Sequence, residues 1–497
     1  MTEVPEKRLA PRAILQRLFS RTGFRGPVLT LLSGAGVALV ITYASQLVLA
    51  RLYPPDAFGV SDYFVMAVTV LLAFASLRYE DAVMIPASDA AAKQILVLAL
   101  VLTAVACAVL GIAAVWSDAI ASVLGVPELA AWFWLIPVTL LLTKSVRLVE
   151  LWLSRRNQFR TITGGQVSAA GATAAYRIGA GVAAPTAGAG GLIGGFVAGQ
   201  VADLAFVAIA RRNAPQSTAV SDEDAPPTLP DVARKYRHFA GYSTPAAVLN
   251  AAFSRLPTIL LPLYFSWTVV GYYGRAFAAL AVPLGLVGNA VAQVFFVHAG
   301  EAMRAGTMGR LSAQVHGRLV MIGLLPTIAV MIAGPDLFEV LFGQPWRPSG
   351  EYLRYVAPWM FLAAIAAPLT KIFDVLQQQR ADFLSSVAMF CLQTAALVVG
   401  GTRGDVMLAL ILLGATGFLA RAGHVSVMLG LAGTGLRDAL LPYGRYGLRA
   451  LLPAAAILLA TFFAPPVVTV VVTFLALGSY YGFIAWNEGV LVDRQGQ

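Results

Sequence analysis

Charged residues, cysteine and histidine are all scarce in this sequence of 497 residues. Only 12% of the residues carry a charge, against about 25% in soluble domains, while 58% are hydrophobic. Apolar stretches of the length that crosses a bilayer, about 20 residues, recur along the whole chain. The composition therefore excludes a set of soluble domains and predicts an all-α, polytopic membrane protein.

The few cysteines and histidines also exclude common kinds of site. Cys107 and Cys391 lie in separate apolar segments without CxxC spacing, so neither a disulfide framework nor a cysteine metal site is expected. The four histidines are dispersed, and the motifs HExxH, GxSxG and GxxxxGK[ST] are absent. We predict no catalytic residue, cofactor or metal. The net charge of +10 is spread between apolar segments, so nucleic acid is not an expected partner.

About fourteen apolar segments are expected to span the membrane. They lie near residues 28–50, 60–79, 93–116, 131–153, 162–184, 188–210, 240–265, 269–297, 314–334, 352–376, 383–402, 405–432, 443–463 and 465–486. Basic residues concentrate in every second connection and are sparse in the others. The positive-inside rule therefore predicts that both termini are cytoplasmic.

The middle of the chain carries a family resemblance. It reads YSTPAAVLNAAFSRLPTILLPLYF, followed by VVGYYGRAFAALAVPLGLVGNAVAQVFF. Further stretches of the same kind are ARLYPPDAFGVSDYF, RYEDAVMIPAS, LSRRNQFRTIT and FGQPWRPSGEYLRYVAPWMFLAAIAAPLTKIFDVLQQQ. Through these motifs the chain resembles the bacterial polysaccharide flippases, the Wzx-type oligosaccharide flippases of the superfamily that includes MATE-like transporters. The resemblance covers most of residues 25–435.

The resemblance implies a MATE-like architecture of two six-helix lobes around a central cavity, with two extra C-terminal helices. The expected parts are a cytoplasmic basic tail at 1–27, an N-lobe at 28–210, a cytoplasmic linker at 211–238, a C-lobe at 239–434 and an addition at 435–497.

The resemblance also implies a function and partners. A polyprenyl-pyrophosphate-linked oligosaccharide, of the undecaprenyl type, would move from the inner to the outer leaflet of the cytoplasmic membrane. The polysaccharide that is built from the translocated unit would be O-antigen, capsule or exopolysaccharide. Membrane lipids, a polysaccharide polymerase and a chain-length regulator would be its partners. Protons, sodium and the membrane potential all stay open as driving forces.

Ionisable side chains within apolar segments are costly in hydrocarbon, so each is a candidate functional residue. Arg255 lies in the apolar segment that also holds Pro245, Pro257 and Pro262. The candidate cations for substrate binding are Lys144, Arg147, Arg177, Arg255, Arg275 and Arg421. The candidates for ion coupling or ion pairing are Glu150, Asp203, Lys371 and Asp374. Cations outnumber acids at depth, and the guanidinium fork suits phosphate oxygens, so an anionic ligand is expected. The family resemblance implies that this anion is the pyrophosphate of a lipid-linked oligosaccharide.

Internal ion pairing is the competing interpretation of these residues. The pairs that spacing allows are Arg147 with Glu150, Lys371 with Asp374, and Asp203 with an arginine of another helix. Arg275 and Lys371 lie near helix ends, from which long side chains reach the interface. Arg78 and Glu80 are expected at a cytoplasmic helix end.

Three other functions are compatible with this architecture or composition. A multidrug or cation antiporter of the same fold needs acids within the membrane, but the first segment, 28–50, contains none. A membrane glycan polymerase is expected to have a long outer loop, which the sequence lacks. A scaffold for polysaccharide assembly is the third. The excess of deep cations favours the flippase.

Overall fold

The computed structural model describes residues 25–86, 88–212 and 227–487. The regular structure within these ranges is helical, which confirms the all-α prediction. The longer helices are α1 (Arg25–Leu52), α2 (Pro55–Phe74), α3 (Asp89–Ala113), α4 (Leu135–Arg155), α5 (Phe159–Ala183), α6 (Gly188–Arg212), α7 (Thr244–Ser254), α8 (Leu256–Tyr264), α9 (Trp267–Arg304), α10 (Met308–Phe342), α11 (Arg347–Leu369), α12 (Gln379–Thr402), α13 (Val406–Leu431), α14 (Leu436–Phe463) and α15 (Pro466–Asn487).

Short helices and helical turns join these elements. The α-helical ones are Ser117–Val123, Leu229–Lys235 and Lys371–Val375. A 3-10 turn at Tyr79–Met84 lies between α2 and α3, and a π turn at Phe239–Ser243 precedes α7. The remaining 3-10 turns are Ala114–Trp116, Pro127–Trp132, Pro185–Ala187 and Gln344–Trp346.

Side-chain caps mark where several helices begin. The Ser88 hydroxyl accepts a hydrogen bond from the backbone N–H of Ala91 at 3.1 Å, at the start of α3. The Asp405 carboxylate accepts one from the N–H of Leu408 at 3.0 Å, at the start of α13. Each cap satisfies a donor that the first helical turn leaves free.

Ten helices of the described residues are long and apolar enough to cross a membrane. The pair Phe239–Ser254 and Leu256–Tyr264, bent by 54°, adds an eleventh if taken as one span. The protein is therefore a multi-pass membrane protein. Every segment expected from hydropathy coincides with a long helix or with this pair, yet some of those helices, such as the charged α4, fall short of the apolarity that a span needs. The count of fourteen crossings stays a prediction.

The chain forms two compact units. Unit 1 comprises the chain up to Leu52 together with Phe64–Ser254, and unit 2 comprises Tyr53–Tyr63 together with the chain from Arg255 onwards. The lobe boundaries expected from the sequence stay a prediction. Residues 213–226 of the expected linker lie outside the described residues, as does most of the expected N-terminal tail.

The connection between α2 and α3 belongs to the core of unit 1. Tyr79 of this connection packs with Ile95 of α3, Leu148 of α4 and Val232. The Tyr79 hydroxyl also donates a hydrogen bond to the Ala233 carbonyl at 3.2 Å. These contacts hold the turn Tyr79–Met84 against the helices instead of leaving it in solvent.

Two glycines bring α9 against the first half of α2 within unit 2. A Cβ on Gly59 would lie 2.0 Å from the carbonyl oxygen of Trp267, and one on Gly271 would lie 1.8 Å from that of Pro55. No side chain fits at such distances, so the approach of the two backbones requires glycine at both positions. Small residues of this kind are the usual means of close helix packing in membranes.

The core of unit 2 includes the two C-terminal helices. Tyr446 and Ala450 of α14 share a buried cluster with Leu319 of α10 and Phe361 of α11. The Tyr480 hydroxyl of α15 donates to a carbonyl oxygen of α10 at 3.1 Å. Helices α14 and α15 are thus packed parts of unit 2.

Candidate functional site

The structure divides the candidate cations between the two units. Those in unit 1 are Lys144, Arg147 and Arg177, and those in unit 2 are Arg255, Arg275 and Arg421.

Lys144 is enclosed in unit 1 beside an acid. Its Nζ lies 2.6 Å from Oε1 of Glu80 and 2.8 Å from Oγ of Ser76. Only 2% of Lys144 and 3% of Glu80 are exposed. Burial by itself raises the pKa of the Glu80 carboxyl, but the Lys144 charge and the hydrogen bonds from Lys144 and Ser76 outweigh it and lower that pKa. The charge of Lys144 is therefore compensated within the unit.

A left-handed backbone turn brings Glu80 to Lys144. Leu77 and Arg78 have φ values of 50° and 58°, a conformation that costs residues with a Cβ about 1–2 kcal/mol each. The turn leads from α2 into the segment Tyr79–Met84, whose Glu80 contacts Lys144 of α4. The Arg78 guanidinium pairs with Asp81 at 2.8 Å. Packing of Tyr79 and the Lys144–Glu80 pair offset the cost of the turn.

Acidic side chains of α4 and α6 lie close together in unit 1. Glu150 is 3.7 Å from the Arg147 guanidinium and accepts a hydrogen bond from Gln166 Nε2 at 3.0 Å. Asp203, 7% exposed, is within electrostatic reach of Glu150. It faces α5, where a Cβ on Gly165 would lie 2.2 Å from Asp203 Oδ1. Within the described ranges, the arginine partner expected for Asp203 is not found.

Arg177 joins α5 to α6. Its Nε donates a hydrogen bond to the Leu192 carbonyl at 2.9 Å. The aliphatic part of the side chain lies flat on α6, because a Cβ on Gly195 would be 2.3 Å from Arg177 Cγ. The glycines of this region thus make room for a long cationic side chain between two helices.

Arg275 forms the clearest ion pair of unit 2. Its Nη2 lies 2.8 Å from both carboxylate oxygens of Asp62, and its guanidinium carbon lies 4.7 Å from the centre of the Phe58 ring. Only 13% of the Arg275 side chain is exposed. The pair joins α2 to α9 near Gly59 and Gly271, where the backbones of the two helices approach closely.

Arg421 lies beside a histidine and an acid. Its Nη1 is 3.4 Å from Nδ1 of His424, whose Nε2 is 3.3 Å from Oδ1 of Asp382.

Elsewhere in unit 2, Lys371 pairs with Asp374 at 2.9 Å. Both of those side chains are about half exposed, so their pair resembles a surface ion pair and contributes little to stability.

Arg255 lies at the break between α7 and α8. Its backbone leaves the helical conformation there, and Pro257 follows at the start of α8. The side chain is exposed. No hydrogen bond or ion pair joins this side chain to another residue in the part of the chain that the structure describes, which distinguishes Arg255 from Lys144 and Arg275.

Most partners of these cations could not be predicted from the sequence. Sequence spacing gave no signal for Ser76 and Glu80 near Lys144, because they are far from it along the chain. Asp62 offered one signal, an acid within an apolar run, since it lies inside a helix of 20 residues. Gln166 and Asp382 offered none.

Comparisons with known proteins bear on the fold and the family. A family model described as "Polysaccharide biosynthesis protein" matches residues 48–351. Among solved structures, the chain is similar to "Lipid II flippase MurJ, inward closed conformation", with TM-score 0.68, 11% identity, and coverage of 93% of this chain and 99% of that one. No curated protein sequence matches.

A second solved structure is titled "Inward-facing conformation of a multidrug resistance MATE family transporter of the MOP superfamily". The TM-score is 0.59 and the identity 14%, with coverage of 80% of this chain and 98% of that one. At such identities both likenesses concern the fold, and they confirm the MATE-like architecture expected from the sequence.

Proposed function

The chain belongs to the polysaccharide biosynthesis protein family, and from that premise we propose that it is a flippase for a lipid-linked oligosaccharide. It moves a polyprenyl-pyrophosphate-linked oligosaccharide from the inner to the outer leaflet of the cytoplasmic membrane by alternating access. The observation that carries the proposal is the family match, which spans residues 48–351. The shared fold with a lipid II flippase supports it.

Arg255 is the cation that we propose for contact with the pyrophosphate. Lys144 and Arg275 each have a carboxylate within 2.8 Å, so their charges are already compensated. Arg255 is exposed at a helix break and has no such partner among the described residues. A guanidinium donates two parallel hydrogen bonds to phosphate oxygens, which an ammonium cannot do. Arg147, with 57% of its side chain exposed, is the second candidate.

Complementation of a bacterium that lacks its own flippase tests this role. Arg255→Ala removes a charge-assisted hydrogen bond, worth about 1.5–3 kcal/mol, so transport is expected to fall roughly 10- to 100-fold. Arg255→Lys keeps the charge and is expected to restore part of the activity. Arg403→Ala is the matched control, because Arg403 is also an exposed arginine at a helix end.

The readout is the amount of lipid-linked oligosaccharide that accumulates on the cytoplasmic face, measured beside the amount of flippase in the membrane. Wild-type activity in Arg255→Ala would contradict the role of Arg255. Accumulation that wild-type protein fails to relieve, in a host with the matching glycan genes, would contradict the flippase itself.

Asp203 is the acid that we propose for ion coupling. It is buried in unit 1 near Glu150, without a cationic partner among the described residues, so a proton or a sodium ion would relieve the repulsion between the two acids. Asp203→Asn is expected to abolish the response of transport to an imposed proton or sodium gradient. Transport that still responds to both gradients would contradict this role.

The same buried acid favours a second candidate function, a multidrug or cation antiporter. An antiporter of this kind would raise drug resistance on overexpression and would leave lipid-linked oligosaccharide unchanged. The flippase is expected to show the opposite pair of results.

A further inference from the structure

A basic pocket lies in unit 2 where α10 and α14 begin. It is a cavity of about 530 Å³ whose lining includes Arg310 and Arg318 from α10 and Asp438, Arg445 and Tyr446 from α14. None of the candidate substrate residues belongs to it. The pocket is therefore a separate feature of the fold.

The charge of the basic pocket is strongly positive. Its lining holds three arginines and one acid, Asp438. Within the described residues, no carboxylate forms an ion pair with Arg310 or Arg318, and the Arg445 guanidinium lies over the Tyr446 ring at 5.5 Å. An anion that enters the pocket therefore meets the guanidinium groups of Arg310 and Arg318 without a competing carboxylate, from the described part of the chain, in an ion pair with either of them.

Two helix starts meet at the base of the pocket. The Thr434 hydroxyl, just before α14, donates a hydrogen bond to the Gly309 carbonyl in the first turn of α10, at 3.0 Å. A Cβ on Gly309 would lie 2.6 Å from the carbonyl oxygen of Gly433. The positive ends of both helix dipoles thus lie at the pocket and add to the field of the arginines.

The position along α10 puts the pocket at the level of lipid headgroups. Helix α10 has 35 residues, about 52 Å at 1.5 Å per residue, whereas the hydrocarbon core is about 30 Å thick. Helix α10 is therefore longer than the core is thick. Arg310 precedes the expected span 314–334, and Arg318 lies about one turn inside that span, near its beginning. The sequence predicts that this end is cytoplasmic, because its connections are basic.

Exposed leucines lie on α14 at and near the pocket. Leu441 belongs to the lining and is 56% exposed. Leu440 and Leu448, outside the lining, are 58% and 72% exposed. Arginines next to exposed leucines match an amphipathic ligand, with a phosphate for the arginines and acyl chains for the leucines. A soluble phosphate would leave the leucines uncovered.

We propose that the basic pocket binds the headgroup of an anionic phospholipid of the surrounding leaflet. Basic pockets between membrane helices are a known kind of site for such headgroups. A phospholipid is the phosphate ester that is always present at this depth. The site is independent of the transported substrate, so the proposal stands apart from the flippase function.

Native mass spectrometry of the full-length protein in mild detergent tests the proposal. The protein is titrated with dioleoylphosphatidylglycerol and, separately, with zwitterionic dioleoylphosphatidylcholine. The wild type is expected to retain the anionic lipid at least tenfold more tightly. The triple variant Arg310→Gln, Arg318→Gln, Arg445→Gln is expected to lose that preference. Arg437→Gln, an exposed arginine of α14 outside the lining, is the matched control and is expected to keep it.

A variant that is expected to strengthen lipid binding makes the test independent of folding, because misfolding would only weaken binding. Asp438→Asn removes the acid from the pocket and is expected to tighten binding of the anionic lipid several-fold. Unchanged binding in both the triple variant and Asp438→Asn would overturn the proposal, and so would equal losses in the triple variant and in Arg437→Gln.

Two competitors separate the sources of phosphate. Inorganic pyrophosphate, added at the same concentration as the phospholipid, is expected to leave the bound phospholipid in place. Displacement of the phospholipid by pyrophosphate would show a site for soluble anions instead. Undecaprenyl pyrophosphate is the second competitor. If it displaced the phospholipid in wild type and bound the triple variant poorly, the pocket would be a substrate site and the assignment to phospholipid would be wrong.

Discussion

The buried pair of Lys144 and Glu80 gives a direct test of how unit 1 is stabilised. Glu80→Gln keeps the shape of the side chain and an oxygen for the hydrogen bond from Ser76, but it removes the negative charge. The Lys144 ammonium, 2% exposed, then lacks the carboxylate that now lies 2.6 Å away. We therefore expect the substitution to destabilise the fold without changing its packing.

The expected loss follows from the burial of both partners. Removing one member of a buried ion pair costs about 3–5 kcal/mol, because the other charge is left uncompensated. Asp81→Asn is the matched control: Asp81 is in the same turn, but its pair with Arg78 is about one-third exposed, and such pairs are worth at most about 1 kcal/mol. The double variant Glu80→Gln, Lys144→Met is expected to regain most of the loss, since no buried charge remains.

Unfolding of the purified protein in mixed micelles of dodecylmaltoside and increasing dodecyl sulfate measures these free energies. Equal losses for Glu80→Gln and Asp81→Asn would refute the reasoning. A double variant that is less stable than Glu80→Gln would refute it as well, because the Lys144 charge would then not be the source of the cost.

The pair also predicts a pH dependence. The pKa of Glu80 is lowered in the folded protein, since Lys144 and Ser76 outweigh the effect of burial. A lowered acid pKa contributes stability above the usual value of 4.5, and this stability is lost as the pH falls through the lowered pKa. The difference between wild type and Glu80→Gln should stay constant from about pH 7 to about pH 5 and shrink in more acidic solution.

Three further substitutions test the packing of unit 2 in the same unfolding assay. Gly271→Ala places a Cβ 1.8 Å from a carbonyl oxygen of α2 and is expected to destabilise by more than about 2 kcal/mol, whereas Gly285→Ala, with nothing within 4 Å, should not. Asp62→Asn leaves the mostly buried Arg275 without its counter-charge and should cost about 1–3 kcal/mol; wild-type stability would contradict the pairing. Tyr480→Phe removes one hydrogen bond to α10 and should cost about 0.5–1.5 kcal/mol.

The helices could be predicted from the sequence because hydrophobic runs are a local property. Each expected segment coincides with a long helix or with the bent pair. The break at Arg255 was not predicted, because hydropathy indicates one span over 240–265; Pro257, two residues further along, was the available signal, since proline disturbs a preceding helix. Length and apolarity thus carry most of the information on the fold.

Whether a contact of a deep cation could be predicted depends on how far apart the two residues are along the chain. Residues three apart on a helix are neighbours by geometry, and Lys371 and Asp374 are indeed 2.9 Å apart. Glu80 is 64 residues from Lys144, and Asp62 is 213 residues from Arg275. No spacing rule connects such residues, because their meeting depends on how the helices pack. A count of deep cations therefore overstated how many have an uncompensated charge.

The buried turn after α2 has a practical consequence for mapping the topology of this protein. Loops between membrane helices are the usual places to insert epitope tags, reporter fusions or labelling cysteines. At Tyr79–Met84 an inserted tag would displace Tyr79 from the core and Glu80 from Lys144. A reporter there would record misfolding and not sidedness, so fusion boundaries are better placed at Gly306 or Gly404, where the chain turns at exposed residues.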